Sequence, residues 1–131
     1  KGKRVIVIGA VPVHGWSVPT KIAKNYLTSG EVKIRALPKS VYADRVSFLE
    51  PFYDYLRISK VEFLDPTTLF CNKSPYCKAL DEDGDALYWD GGHLSEKGAM
   101  LIVRKLIEET SLINWKAHKI KKTPILKMQF L

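Results

Sequence analysis

Leu87-Tyr88-Trp89-Asp90-Gly91-Gly92-His93-Leu94-Ser95 is the stretch on which the reading of this chain turns. An Asp and a His stand three residues apart with two glycines between them. Ser95 is a good helix N-cap. After it, Ala99, Met100, Ile102, Val103, Leu106 and Ile107 form a wide apolar face, which predicts a helix packed on a sheet. Upstream, residues 4–9 carry the run Val5-Ile6-Val7-Ile8, the pattern of a fully buried parallel strand. Residues 61–66 read as a second strand ended by Pro66. Strand, helix, helix, strand, loop and helix in that order predict α/β layering, although only two strands stand out.

The segments between these landmarks fill in the outline. Gly9 to Gly15 is a Gly/Pro-punctuated loop after the first strand, where open α/β sheets place ligands, but its spacing fits no nucleotide-binding motif. Within it His14 could line a site, whereas a lone loop histidine is more commonly an exposed polar residue. Ser17 lies in a weak likeness of a nucleophile elbow, which Pro19 contradicts by standing where a small residue is needed. Pro19, the apolar positions Ile22, Ala23, Tyr26 and Leu27, and the stop at Gly30 predict a short helix. Residues 31–37 alternate like an edge strand or an extended connector. Pro38 opens a long helical pattern through Leu56, which Pro51 should kink or divide. The aromatics Phe48, Phe52, Tyr53 and Tyr55 are expected in the core. Asp81-Glu82-Asp83-Gly84-Asp85 lacks the spacing of a calcium loop and is expected to be a solvated turn.

The 131 residues are enough for one modest domain, and 46% hydrophobic with 27% charged residues is a globular composition. No apolar run has the eighteen or so residues of a membrane span. All fourteen acids and sixteen of the twenty-one Lys and Arg precede residue 116. That leaves +2 in the body, and Lys116, Lys119, Lys121, Lys122 and Lys127 supply the remaining +5. Such a tail can attract nucleic acid or anionic lipid, but no aromatic platform or nucleic-acid motif accompanies it, so a solvated extension is the expectation. The two cysteines, Cys71 and Cys77, flank a polar, turn-forming segment and are expected to close a small disulfide in an oxidising compartment. They are too few for a zinc site.

Asp90 and His93 admit three readings. In a hydrolytic triad the His is a general base toward a hydroxyl, and the carboxylate orients it and stabilises the imidazolium. The two glycines would let a short loop turn tightly and bring both side chains together. Alternatively both are metal ligands, with no third or fourth ligand evident. Finally, they are simply an exposed Asp and an exposed His on a loop.

Asp90-Gly91-Gly92-His93-Leu94-Ser95-Glu96-Lys97-Gly98-Ala99 resembles the Asp-x-x-His-Leu-Ser-x-x-Gly-Ala block that closes SGNH (GDSL-type) serine esterases. More closely, the chain resembles the C-terminal SGNH domain fused to membrane acyltransferase-3 proteins, which O-acetylate bacterial surface carbohydrates. The supporting segments come in the family's order: Val5 to Pro12, Val18-Pro19 with the helix after it, Phe63 to Pro66, Leu69-Phe70-Cys71 with Cys77, and Leu87 to Asp90. The resemblance covers about residues 3 to 108. It implies a three-layer α/β/α, flavodoxin-like fold, with residues 1–112 as the C-terminal part of the domain and 113–131 as a basic tail outside it. It also implies that Asp90 and His93 are the acid and base of a Ser-His-Asp triad, with no cofactor and no metal.

The Gly-Asp-Ser block that supplies the nucleophile is absent from the sequence, as are the Gly and Asn blocks of the oxyanion hole. The resemblance places all three before Lys1. The expectation is therefore a partial serine esterase or O-acyltransferase domain, inactive alone. Its partners would be an acetylated or acetyl-accepting carbohydrate, the upstream half of the domain and a membrane acyltransferase domain, on the periplasmic or extracytoplasmic face. The competing expectation is a non-catalytic interaction module whose basic tail contacts an acidic partner.

Overall fold

A computed structural model of the chain describes residues 5–72 and 74–109. The elements run β1 (Ile6–Ile8), α1 (Val18–Ser29), β2 (Leu37–Pro38), α2 (Lys39–Val46), a 3-10 turn (Ser47–Leu49) and α3 (Glu50–Ile58). Then follow β3 (Glu62–Leu64), α4 (Thr67–Phe70), β4 (Tyr76–Cys77) and α5 (Glu96–Glu109). β-Branched side chains favour the extended backbone of β1, which pairs in parallel with β3, Val7 opposite Phe63. β2 pairs antiparallel with β4, Leu37 opposite Cys77. The described residues thus form a mixed α/β fold with two small sheets.

Local signals set most element ends. The Ser17 hydroxyl accepts a hydrogen bond from the Thr20 N–H, capping α1. Gly30 ends that helix at φ 71°, in the left-handed region, with its N–H on the Tyr26 carbonyl. The long pattern after Pro38 is divided: α2 stops at Val46, and Pro51 lies in the first turn of α3, where its missing N–H costs nothing. Residues 31–36 are an extended connector, and only Leu37 and Pro38 join a sheet. The acidic turn is a hairpin tip closed by the Leu80–Ala86 bridge. In it the Asp81 carboxylate accepts from the N–H groups of Asp83 and Asp85, and Lys97 pairs with Asp81 and Asp85.

Three expectations about burial are corrected. β1 is not fully buried: Val5 and Ile8 are exposed and Ile6 and Val7 half-buried, because only its β3 edge is paired among the described residues. Of the four aromatics expected in the core, only Tyr53 is buried. Phe48, Phe52 and Tyr55 face outward with Ile58 as one stripe, since α3 turns Tyr53 and Leu56 toward β3. The apolar face of α5 is narrower than its sequence suggests. Ile102 is buried and Leu101 and Leu106 partly so, whereas Met100 and Val103 are exposed.

The core gathers Val18, Leu37, Tyr42, Leu64, Phe70, Leu87, Tyr88 and Ile102 around the Cys71–Cys77 disulfide, which is fully buried. Two tyrosines from different helices hold the residue that leaves the β1 region. The Tyr42 hydroxyl donates to the Ala10 carbonyl (2.6 Å), and the Ala10 N–H donates to the Tyr53 hydroxyl oxygen (2.8 Å). The basic tail and the expected boundary after residue 112 lie outside the described residues. Closing a loop of this length contributes about 2 kcal/mol through the unfolded chain. The Cys71→Ala/Cys77→Ala variant should therefore lose about 2 kcal/mol of unfolding free energy, read from its urea midpoint against the oxidised parent.

Candidate active site

Two loops meet beside the carboxyl end of β1, one running from β1 to α1 and the other carrying Asp90 to His93. Backbone hydrogen bonds join them. The His14 N–H donates to the Gly91 carbonyl (2.6 Å), and the Val18 N–H donates to the Asp90 carbonyl (3.1 Å). Arg45 on α2 donates to the Val13 carbonyl and holds the first loop from the other side. Gly15 turns that loop with φ 78°.

The glycines between Asp and His serve a purpose other than the one expected of them. Among the described glycines only Gly15, Gly30 and Gly84 have positive φ, so neither Gly91 nor Gly92 supplies a left-handed turn. Gly91 is required by close approach instead. A Cβ there would lie 2.8 Å from the Trp16 carbonyl oxygen, too close for any real contact, while one on Gly92 would meet only the Val13 side chain at 3.4 Å.

On this scaffold Asp90 and His93 are brought together. Asp90 Oδ1 accepts from the N–H groups of Gly92 (2.7 Å) and His93 (2.8 Å), and Oδ2 lies 2.7 Å from His93 Nδ1. The His93 N–H, the Gly92 N–H and then the His93 ring hold the Asp90 carboxyl well below the usual carboxylate range. An ionised carboxylate only accepts, so Nδ1 carries the proton and the neutral ring presents its lone pair at Nε2. The hydrogen bond and charge of Asp90 raise the His93 pKa above its ordinary 6.5. Nε2 has no hydrogen-bond partner among the described residues, and the side chain is 87% exposed. The pair sits in a shallow open depression lined by Val13, Gly15, Trp16, Ser17 and Asp90 to His93. No group of three or more potential metal ligands occurs among the described residues.

Two residues weighed in the sequence land elsewhere. Ser17 reaches the rim of the depression, but its hydroxyl caps α1 and receives the Thr20 hydroxyl at 2.9 Å. His14 is not an exposed loop histidine. It is 2% exposed, edge-on to Tyr88 at 4.7 Å and beside Trp16 at 5.1 Å, and neither ring nitrogen has a hydrogen-bond partner. Burial, reinforced by the nearby Arg45 charge and opposed by the Lys78 backbone, lowers its pKa to about 4. Its uncharged ring is part of the packing under the site. The edge-on ring that closes over it, Tyr88, lies 74 positions away in sequence, and no local signal marked that contact.

Residues 1–108 match the family described as the SGNH domain fused to AT3 (acyltransferase-3) domains. The structure is similar to that of the periplasmic domain of a lipopolysaccharide acetyltransferase from Salmonella ser. Paratyphi A. The TM-score is 0.59 at 19% sequence identity, over 81% of this chain and 41% of that one. The chain thus spans less than half the length of that domain. No curated protein matches it.

Two measurements test this geometry. Asp90→Asn should bring the His93 pKa, followed by NMR titration of the imidazole, down toward 6.5. His14 binds its proton near 6.5 when unfolded but only near 4 when folded. Stability should therefore be full above about pH 6.5 and fall by about 3 kcal/mol as pH drops to about 4. His14→Phe should remove that part of the pH dependence, read as the difference between the two unfolding profiles.

Proposed function

The chain belongs to the family of SGNH domains fused to acyltransferase-3 domains, and from that membership we propose that Asp90 and His93 are the acid and base of a Ser-His-Asp triad. The observation that carries the reading is the 2.7 Å contact between Asp90 Oδ2 and His93 Nδ1, with Nε2 open to the depression. A base oriented by a carboxylate and unpartnered on its outer nitrogen suits abstraction of a hydroxyl proton.

The nucleophile is a serine outside these 131 residues, which contain no Gly-Asp-Ser. His93 Nε2 takes the proton of that hydroxyl as its oxygen attacks the acetyl carbonyl. The imidazolium, stabilised by Asp90, then returns the proton to the departing sugar oxygen, leaving an acyl-enzyme. Water or an acceptor hydroxyl, deprotonated by the same nitrogen, releases the acetyl group. The substrate class is an O-acetylated or acetyl-accepting cell-surface carbohydrate, such as the lipopolysaccharide of the similar acetyltransferase.

In this reading β1 and β3 are the last strands of a three-layer, flavodoxin-like sheet, the edge of β1 away from β3 receives strands from upstream sequence, and residues 113–131 lie outside the domain. The domain works on the extracytoplasmic side beside its membrane acyltransferase partner, a placement that the Cys71–Cys77 disulfide supports. The exposed stripe of Phe48, Phe52, Tyr55 and Ile58 supports a contact with another domain.

A base without its hydroxyl and oxyanion donors has nothing to activate. The 131-residue chain should accordingly show no turnover of an aryl acetate above the buffer rate. Hydrolysis by the chain that Ser17→Ala abolishes would instead put the nucleophile at the N-cap of α1.

A further inference from the structure

Trp89 is 72% exposed, although its neighbours Leu87 and Tyr88 are each 1% exposed. Backbone pairing sets the register here: Tyr88 bridges Leu94 in antiparallel register, the Ser95 N–H donates to the Leu87 carbonyl, and the Trp89 N–H donates to the His93 carbonyl (2.8 Å). Trp89 and His93 are therefore opposed at the mouth of the hairpin that carries Asp90, Gly91 and Gly92. Opposed residues present their side chains on one face, with Cβ atoms about 5 Å apart. Tyr88 is buried and Leu94 packs against the core, whereas Trp89 and His93 are both exposed, Trp89 standing next to the depression and outside its lining. Beyond His93 the depression is open, with half-exposed Val13 on its far wall.

We propose that the Trp89 indole is a stacking platform for a pyranose ring, holding the sugar of the O-acetyl ester beside His93. The proposal rests on the esterase reading above and names how its carbohydrate is held. A pyranose has an apolar C–H face and a rim of hydroxyls. A flat, exposed indole can cover that face while the hydroxyls stay in water, so no enclosing pocket is needed. The shallow depression and the exposed ring next to it fit such a ligand. A free acyl chain would need a closed apolar groove.

The test titrates the isotope-labelled 131-residue chain with methyl hexopyranosides (gluco, galacto and manno), their mono-O-acetyl esters, and isopropyl acetate as the sugar-free ester. The readouts are the Trp89 indole N–H resonance, assigned by its loss in Trp89→Phe, and the His93 imidazole. At least one glycoside and its ester should move the Trp89 resonance saturably while isopropyl acetate does not. Trp89→Ala should weaken that binding at least tenfold and Trp89→Phe much less, with the Trp16 indole resonance reporting that the fold is kept. Glycosides that leave Trp89 unmoved, an equal response to isopropyl acetate, or unchanged affinity in Trp89→Ala would each overturn the platform. If Asp90→Asn still lowers the His93 pKa in that event, the oriented dyad stands and only the platform falls.

Discussion

Both carboxylate oxygens of Asp90 are committed within its own loop, and the site depends on that division. One oxygen gathers the Gly92 and His93 N–H groups, which bends the loop. The other fixes the His93 ring through Nδ1. The same three contacts keep the carboxyl ionised, which in turn settles the tautomer and leaves Nε2 as the basic atom. A single side chain thus shapes the backbone, orients the imidazole and raises its basicity. An amide in its place could keep much of the shape but would lose the charge.

That loop is held in place by parts of the chain far from it in sequence. Gly91 lies where only a glycine can pass the Trp16 carbonyl, and the β1–α1 loop is tied to it by two backbone hydrogen bonds. Behind that loop, Tyr42 and Tyr53 grip opposite ends of the Ala10 residue. On the other flank, Ser95 donates to the Ala86 carbonyl while capping α5, and Gly98 leaves room for the Leu87 carbonyl, which a Cβ would reach at 2.1 Å. The depression is therefore open to solvent but framed by β1, α1, α2 and α5.

What was legible in the sequence was local. Pro19 and Gly30 bound α1, Pro51 divides the helical pattern, and Ser95 starts α5, because caps and prolines act within a turn of their own position. Asp90 and His93 are near neighbours, so their meeting needed only a tight loop. The cysteine pair was legible for the same reason. What was not legible depended on distant partners. His14 is buried by Tyr88 and Trp16, and nothing in residues 9–15 announces that. The stripe at Phe48, Phe52 and Tyr55 has the apolar pattern of a core helix, but α3 offers only Tyr53 and Leu56 to the sheet. The β-branched run of β1 looks buried on both faces, and in the described residues it has one neighbour. The role of Gly91 was misassigned because close approach of a distant carbonyl leaves no mark in the local sequence.

The central claim is that His93 serves a serine that these 131 residues do not contain. Fluorophosphonate labelling of the intact gene product, with the modified residue located by mass spectrometry, tests it most directly. One labelled serine is expected outside this sequence, with labelling lost in His93→Ala and strongly slowed in Asp90→Asn. Labelling at a serine within these residues, or labelling that persists unchanged in His93→Ala, would contradict it.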